Sequence, residues 1–133
     1  MDNSTKKILI VEDDQFLREF YQELLQAEGY NVDAASDGEI GSQKIQKGGY
    51  DLVLLDIMLP KKDGLQILQE LKNHPSQLPI GVIVILTNLG QDTVIKQCFG
   101  LGAEGFLIKS ALNPEQVLTE IKTFLSKSAN GSN

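Results

Sequence analysis

The chain has 133 residues, 41% of them hydrophobic and 23% charged, which fits one domain with one good core and excludes a disordered chain. Twelve basic against 18 acidic residues leave a net charge of −6, which argues against a broad phosphate-gripping surface for DNA or RNA. A single cysteine, Cys98, excludes an internal disulfide framework and a cysteine-rich zinc site; with no apolar run of membrane-spanning length and a polar start from Met1 to Lys7, a cytoplasmic chain is expected.

Short apolar runs alternate with helical patterns along the chain. Ile8 to Val11 is a β-branched run of strand length. A helix follows, with Phe16, Leu17, Phe20, Leu24 and Leu25 on one broad stripe. Asn31 to Ala35 holds a weaker strand around Val32. Gly38 to Lys47 is the poorest helix: Gly41 costs about 1 kcal/mol relative to alanine, and the stripe is little more than Ile40 and Ile45. Leu52 to Leu55 is the third strand, followed by a helix carrying Leu65, Ile67, Leu68 and Leu71. Val82 to Leu86 is the fourth, followed by a short helix with Val94, Ile95 and Phe99. Phe106 to Ile108 is the fifth. Asn113 then caps a helix that starts at Pro114 and carries Val117, Leu118, Ile121, Phe124 and Leu125.

Five repeats of strand then helix imply right-handed βαβ units and a doubly wound parallel sheet with five helices. Runs that are apolar at consecutive positions suit strands covered on both faces. The expected domain is 1–127, with 128–133 a polar tail or linker stub.

In such a sheet, ligands bind beyond the carboxyl ends of the strands. Glu12, Asp13 and Asp14 follow strand one, Asp56 follows strand three, Thr87 and Asn88 end strand four, and Lys109 and Ser110 follow strand five. A lone acid at a strand end is usually a cap or turn residue, and Asp14 reads as a helix cap. Complementary chemistry at four strand ends is not explained by capping. Crowded carboxylates repel unless a cation sits among them, and an all-oxygen, highly charged set favours Mg²⁺. Lys109 and Thr87 supply the point charge and hydroxyl that a phosphoryl group needs. Phosphoryl transfer to or from an oxygen nucleophile is therefore expected. Asp56 is the candidate nucleophile, because a carboxylate needs no activating base.

The segments Lys7 to Asp14, Asp51 to Pro60 with Asp63-Gly64 behind it, Val84 to Thr87 and Gly102 to Lys109 together resemble the receiver domain of two-component response regulators. The resemblance covers about Lys6 to Leu125, with Asp13, Asp56, Thr87 and Lys109 spaced by 43, 31 and 22 residues. It implies a flavodoxin-like fold with strand order 2-1-3-4-5. It also implies Asp56 as phosphoacceptor, Asp13 as a direct Mg²⁺ ligand, Glu12 acting through water, and the Met58 carbonyl on the metal. Thr87 would be the switch hydroxyl, Lys109 the pairing lysine and Phe106 the switch aromatic, turning inward as the face of helix four, strand five and helix five changes shape. The implied function is a phosphorylation-gated signalling module that catalyses only its own phosphorylation and dephosphorylation. Its partners would be a sensor histidine kinase or phosphotransfer protein and a downstream protein target, with no nucleic acid or membrane contact of its own. A homodimer through the switch face is implied for the phosphorylated form.

The sequence departs from the family pattern in four places. Ser110 replaces the usual proline after Lys109; a non-proline cis bond costs about 2.5–4 kcal/mol, so a trans bond is expected there. Asn88 replaces a small residue and is expected to crowd the phosphoryl pocket. Met58 and Leu89 are apolar and are expected to hinder attacking water. Leu112 lies where many receivers have only a short turn. His74 reads as a loop residue, Cys98 as packing, and Lys61-Lys62 as a solvated loop. Two alternatives remain: a degenerate receiver that only docks partners, and a flavin- or nucleotide-binding protein of the same fold. The second lacks a Gly- or Ser/Thr-rich phosphate loop after strand one. An aspartyl-nucleophile Mg²⁺ phosphatase would want its nucleophile early and a substrate-covering cap, and the sequence supplies neither.

Overall fold

The computed structural model describes residues 6–88, 91–109 and 113–130, without side chains for 128–130. Leu89, Ser110 and Leu112, and with them the Lys109–Ser110 bond, lie outside the described residues. The elements alternate strictly: β1 (Lys7–Val11), α1 (Gln15–Ala27), β2 (Asn31–Ala35), α2 (Gly38–Lys47), β3 (Leu52–Asp56), α3 (Gly64–Asn73), β4 (Val82–Thr87), α4 (Asp92–Gly100), β5 (Gly105–Ile108) and α5 (Pro114–Asn130). The sheet is wholly parallel with order β2-β1-β3-β4-β5, as the alternation and the resemblance together predict. α5 runs to Asn130, into the segment read as a polar tail.

The consecutive apolar residues of the strands divide by strand parity into two cores. Ile8, Ile10, Leu52, Leu54, Val84 and Leu86 face α1 and α5, where Tyr21, Leu25, Val117, Ile121 and Phe124 complete one cluster. Leu9, Val11, Val53, Leu55, Ile83 and Ile85 face α2, α3 and α4, meeting Ile45, Ile67, Leu68, Ile95 and Cys98. Cys98 is thus a packing residue. Four helices begin on side-chain caps. Asp14 accepts the Leu17 N–H, Asp37 the Ile40 N–H, Asp63 the Gln66 N–H and Asn113 the Gln116 N–H. Gln66 and Gln116 return the bond to the cap backbone, closing capping boxes.

Three helix faces differ from the expected stripes. In α1 the inward set is Leu17, Phe20, Tyr21, Leu24 and Leu25, at true i, i+3, i+4, i+7, i+8 spacing. Phe16 falls one residue off that stripe and is 78% exposed. In α2 the buried face is Gly38, Gly41, Ser42 and Ile45, and Ile40 points outward. Gly41 is there because the helix lies directly on β1: a Cβ would sit 2.6 Å from Val11 Cγ1. The helix penalty of that glycine is therefore the condition for close packing. In α4 the buried residues are Ile95 and Cys98, whereas Phe99 is exposed against Phe106 of β5. Lys62 is not a free loop cation either. It bonds Glu70 of α3 at 2.7 and 2.9 Å, and Lys61 lies 3.4 Å from Asp37.

Candidate functional site

The parallel register brings the carboxyl ends of β1, β3, β4 and β5 to one rim. Val11 pairs with Leu55, Asp56 with Leu86, and Thr87 with Ile108, so Glu12, Asp56, Thr87 and Lys109 emerge side by side. The Lys109 N–H donates to the Thr87 carbonyl at 2.8 Å, which fixes the start of the β5–α5 loop against β4. Glu12 and Thr87 are buried, Asp56 is 2% exposed, and Asp13 is open to solvent.

Lys109 Nζ is the hub. It donates to Asp56 Oδ2 at 2.6 Å and lies 2.8 Å from Glu12 Oε1. The contact to Glu12 is one of charge rather than an aligned hydrogen bond, and Glu12 Oε1 has no hydrogen-bond partner among the described residues. Glu12 Oε2 accepts the Asp14 N–H at 3.1 Å, and Asp56 Oδ1 accepts the Met58 N–H at 3.0 Å. The Asp56 carboxyl is raised to about 7, chiefly by burial; the Lys109 hydrogen bond opposes the rise and the neighbouring Glu12 charge adds to it. For Lys109 burial works against the charge, but its hydrogen bond to Asp56 and its ion pair with Glu12 outweigh that and hold the ammonium above its ordinary value.

Glu12, Asp13 and Asp56 each present a carboxylate oxygen within 4.8 Å of the others. One ammonium does not neutralise three carboxylates, and two of the three are out of water. An all-oxygen, doubly anionic cup of this kind fits a hard divalent cation, for which Glu12 Oε1 and Asp56 still have unused acceptor capacity.

Thr87 ends β4 with its hydroxyl donating to Gln91 Oε1, which also accepts the Asn88 N–H at 3.2 Å. Asn88 itself is exposed. Phe106 points away from the site; its ring packs on Phe99 with centroids 6.2 Å apart and planes at 60°. The Met58 side chain is exposed beside Asp56. Asp14 caps α1, as its position predicts. His74 is the C-cap residue of α3, away from the acidic rim.

Sequence reasoning missed three supporting side chains. Arg18 reaches back from α1 to the carbonyl oxygens of Glu12 and Asp13 at 2.9 and 3.3 Å, fixing the acidic pair from outside. Its place four residues after Asp14 looks like any solvated helix position. Tyr21 lies buried near the cup: burial raises its hydroxyl pKa, and Glu12 raises it further. Gln91 holds Thr87 from the start of α4, and nothing in its neighbours in sequence marks it.

A doubly wound α/β domain with a buried acid cup and a lysine on its carboxyl rim is a class in which phosphoryl chemistry and metal binding meet. A family model described as the response regulator receiver domain matches residues 8–122, and the chain belongs to that family. It is 38% identical over 116 residues to the transcriptional regulatory protein DltR of Streptococcus agalactiae serotype III, covering 87% of this chain and 50% of that protein. It is 37% identical over 127 residues to a CpxR homolog of Haemophilus influenzae, covering 96% of this chain and 53% of the other. The chain thus spans about half the length of the curated relatives it matches. Among solved structures, the chemotaxis protein CheY4 of Vibrio cholerae superposes with a TM-score of 0.79 at 28% identity, covering 90% of this chain and 98% of that one. A CheY-like receiver domain protein from Methanospirillum hungatei gives 0.83 at 28% identity, with coverages of 95% and 98%. Nothing in these matches favours a flavin- or nucleotide-binding protein or a degenerate docking module. Among the described residues, no helix is long and apolar enough to cross a membrane.

Proposed function

We propose that the chain acts in a two-component phosphorelay by accepting a phosphoryl group on Asp56 in a Mg²⁺-dependent reaction. The observation that carries this reading is the pairing of Asp56 with Lys109 inside a cup of three carboxylates, two of them buried. The Asp56 carboxylate forms an O–P bond as the bond from phosphorus to the donor breaks. The donor is a phosphohistidine of a sensor kinase or phosphotransfer protein, or a small acyl phosphate; a departing imidazole takes up a proton. Asp13, Asp56, the Met58 carbonyl and, through water, Glu12 would hold Mg²⁺. Bound there, the ion neutralises the cup and the charge on the transferring oxygens.

Lys109 can move its ammonium from Asp56 Oδ2 to a phosphoryl oxygen without leaving the cup. Thr87, released from Gln91, can donate its hydroxyl to another. That movement opens space beside β4 for Phe106 to turn inward from its contact with Phe99. The α4–β5–α5 face, with both phenylalanines exposed, then changes shape for a downstream protein or a second copy of the chain. The phosphoryl group biases two pre-existing arrangements only by these differential contacts. Hydrolysis restores the carboxylate when water attacks phosphorus. The chain catalyses these steps on itself alone. We assign the receiver domain to 1–127, with α5 running on to Asn130 into the 128–133 tail or linker stub, and the cytoplasm as its location.

The test is intact-mass spectrometry after incubation with acetyl phosphate and Mg²⁺. One added phosphoryl group on wild type, mapped to the peptide containing Asp56 and not formed when Mg²⁺ is chelated before the donor is added, is the expected result. No adduct, or one unaffected by Asp56→Asn, refutes the reading.

A further inference from the structure

The loop 57–63 joins Asp56 to α3 and carries Met58, whose carbonyl the proposed function gives to Mg²⁺. Its inner half is tied to the sheet: the Ile57 N–H donates to Leu86 O at 3.2 Å, and Ile57 O accepts the Gly64 N–H at 2.9 Å. Its outer half is held almost wholly by α2 and α3. The Gly38 N–H, at the first position of α2, donates to Pro60 O at 3.2 Å. The helix lies so close that a Cβ on Gly38 would fall 1.6 Å from Lys62 O. Lys61, the only non-glycine residue at positive φ (70°) among the described residues, sets its ammonium 3.4 Å from the buried cap Asp37. Lys62 lies at 2.7 and 2.9 Å from the two Glu70 oxygens, and the buried Ser42 of α2 donates to Glu70 Oε1 at 3.0 Å. Backbone contact, strained turn and charge network thus converge on one loop from two helices.

We infer that the start of α2, through Gly38 and the Ser42–Lys62–Glu70 network, is a positioning element for the divalent-cation site, setting the loop that bears Met58. This rests on the metal reading given above. None of these side chains touches the cup. They restrict the paths open to a seven-residue loop, so the Met58 carbonyl is presented without an ordering cost at binding.

The inference is tested by Mg²⁺ titration calorimetry on the folded full chain, with melting temperature measured in parallel. Gly38→Ala puts a better helix former in α2 but drives the loop off it. Lys62→Met cuts the network. Both are expected to weaken Mg²⁺ binding about tenfold, the lower range for loss of an outer-shell partner, and to shift the metal-free Met58 amide resonance. The charge swap Lys62→Glu with Glu70→Lys is expected to restore affinity to within about twofold, since it re-forms the pair. A purely structural network would lower the melting temperature and leave the affinity of the folded protein unchanged, and that result overturns the inference. If Gly38→Ala does not fold, Lys62→Met and the swap decide. Wild type that takes no Mg²⁺ overturns the metal reading and the inference together. Wild type that binds beside folded variants of equal affinity overturns the positioning role alone.

Discussion

β3 is bracketed by two aspartates five residues apart, and the two ends have opposite uses. Asp51, just before the strand, is half-buried and spends its carboxylate on structure, accepting the Lys7 N–H at 2.8 Å. Its own carbonyl accepts the Val82 N–H at 3.1 Å, so it ties the amino ends of β1, β3 and β4 together. Asp56, at the carboxyl end, accepts one backbone N–H among the described residues and is otherwise matched to a side-chain ammonium and a second acid. An acid whose partners are backbone groups is a staple. An acid whose partner can move, in a site that is over-negative, is available for chemistry. Strand direction decides which is which.

The largest expected contrast is in phosphorylation. Asp56→Asn is expected to abolish labelling by acetyl phosphate, while Asp51→Asn keeps it, both read by intact mass. Loss of labelling in both would mean that the site depends on the whole strand rather than on its carboxyl end.

Stability against pH comes next. The Asp56 carboxyl sits near 7 in the folded protein against an ordinary value of 3.8, so the folded state binds this proton more tightly than the unfolded chain. Its contribution is present in full below about pH 4 and is lost as pH rises through 7. Metal-free Asp56→Asn should therefore be more stable than wild type at pH 8 by up to about 4 kcal/mol, with the gap narrowing as pH falls and closing near pH 4. Denaturation in chelator at the two pH values checks this; a gap independent of pH would contradict it. Asp51→Asn should go the other way and destabilise by about 0.5–1 kcal/mol, because a charged acceptor becomes neutral.

The smallest effect concerns the neighbour of Asp56. Met58 exposes an apolar side chain beside the acceptor. Met58→Asn should admit and orient water, shortening the lifetime of the aspartyl phosphate several-fold in a dephosphorylation time course. An unchanged rate would remove Met58 from the account.

Much of this was legible in the sequence. Strand and helix order follow from short apolar runs separated by turn residues, because both sheet faces are covered and the inner strands β1, β3 and β4 are apolar at consecutive positions. The four rim groups could be found because topology alone puts strand ends together. Helix faces were less legible. Phe16 and Ile40 are large and apolar yet turned outward, while Gly41 and Ser42 are small and turned inward. Close packing selects by size and spacing, and hydrophobicity does not encode that. Arg18, Gln91 and the Lys62–Glu70 pair were hidden for another reason: Arg18 binds backbone carbonyls, which carry no residue signature, and the other two join a loop or strand end to the next helix, where no periodicity marks them.

The central claim is that the cup around Asp56 is over-negative until a divalent cation enters. Calorimetric titration of Mg²⁺ at pH 8 into wild type and Asp56→Asn tests it most directly. Wild type should bind, and its melting temperature should rise, whereas Asp56→Asn, with one acid removed, should bind at least about tenfold more weakly. Equal affinity in the two proteins, or heat from neither, would contradict the account.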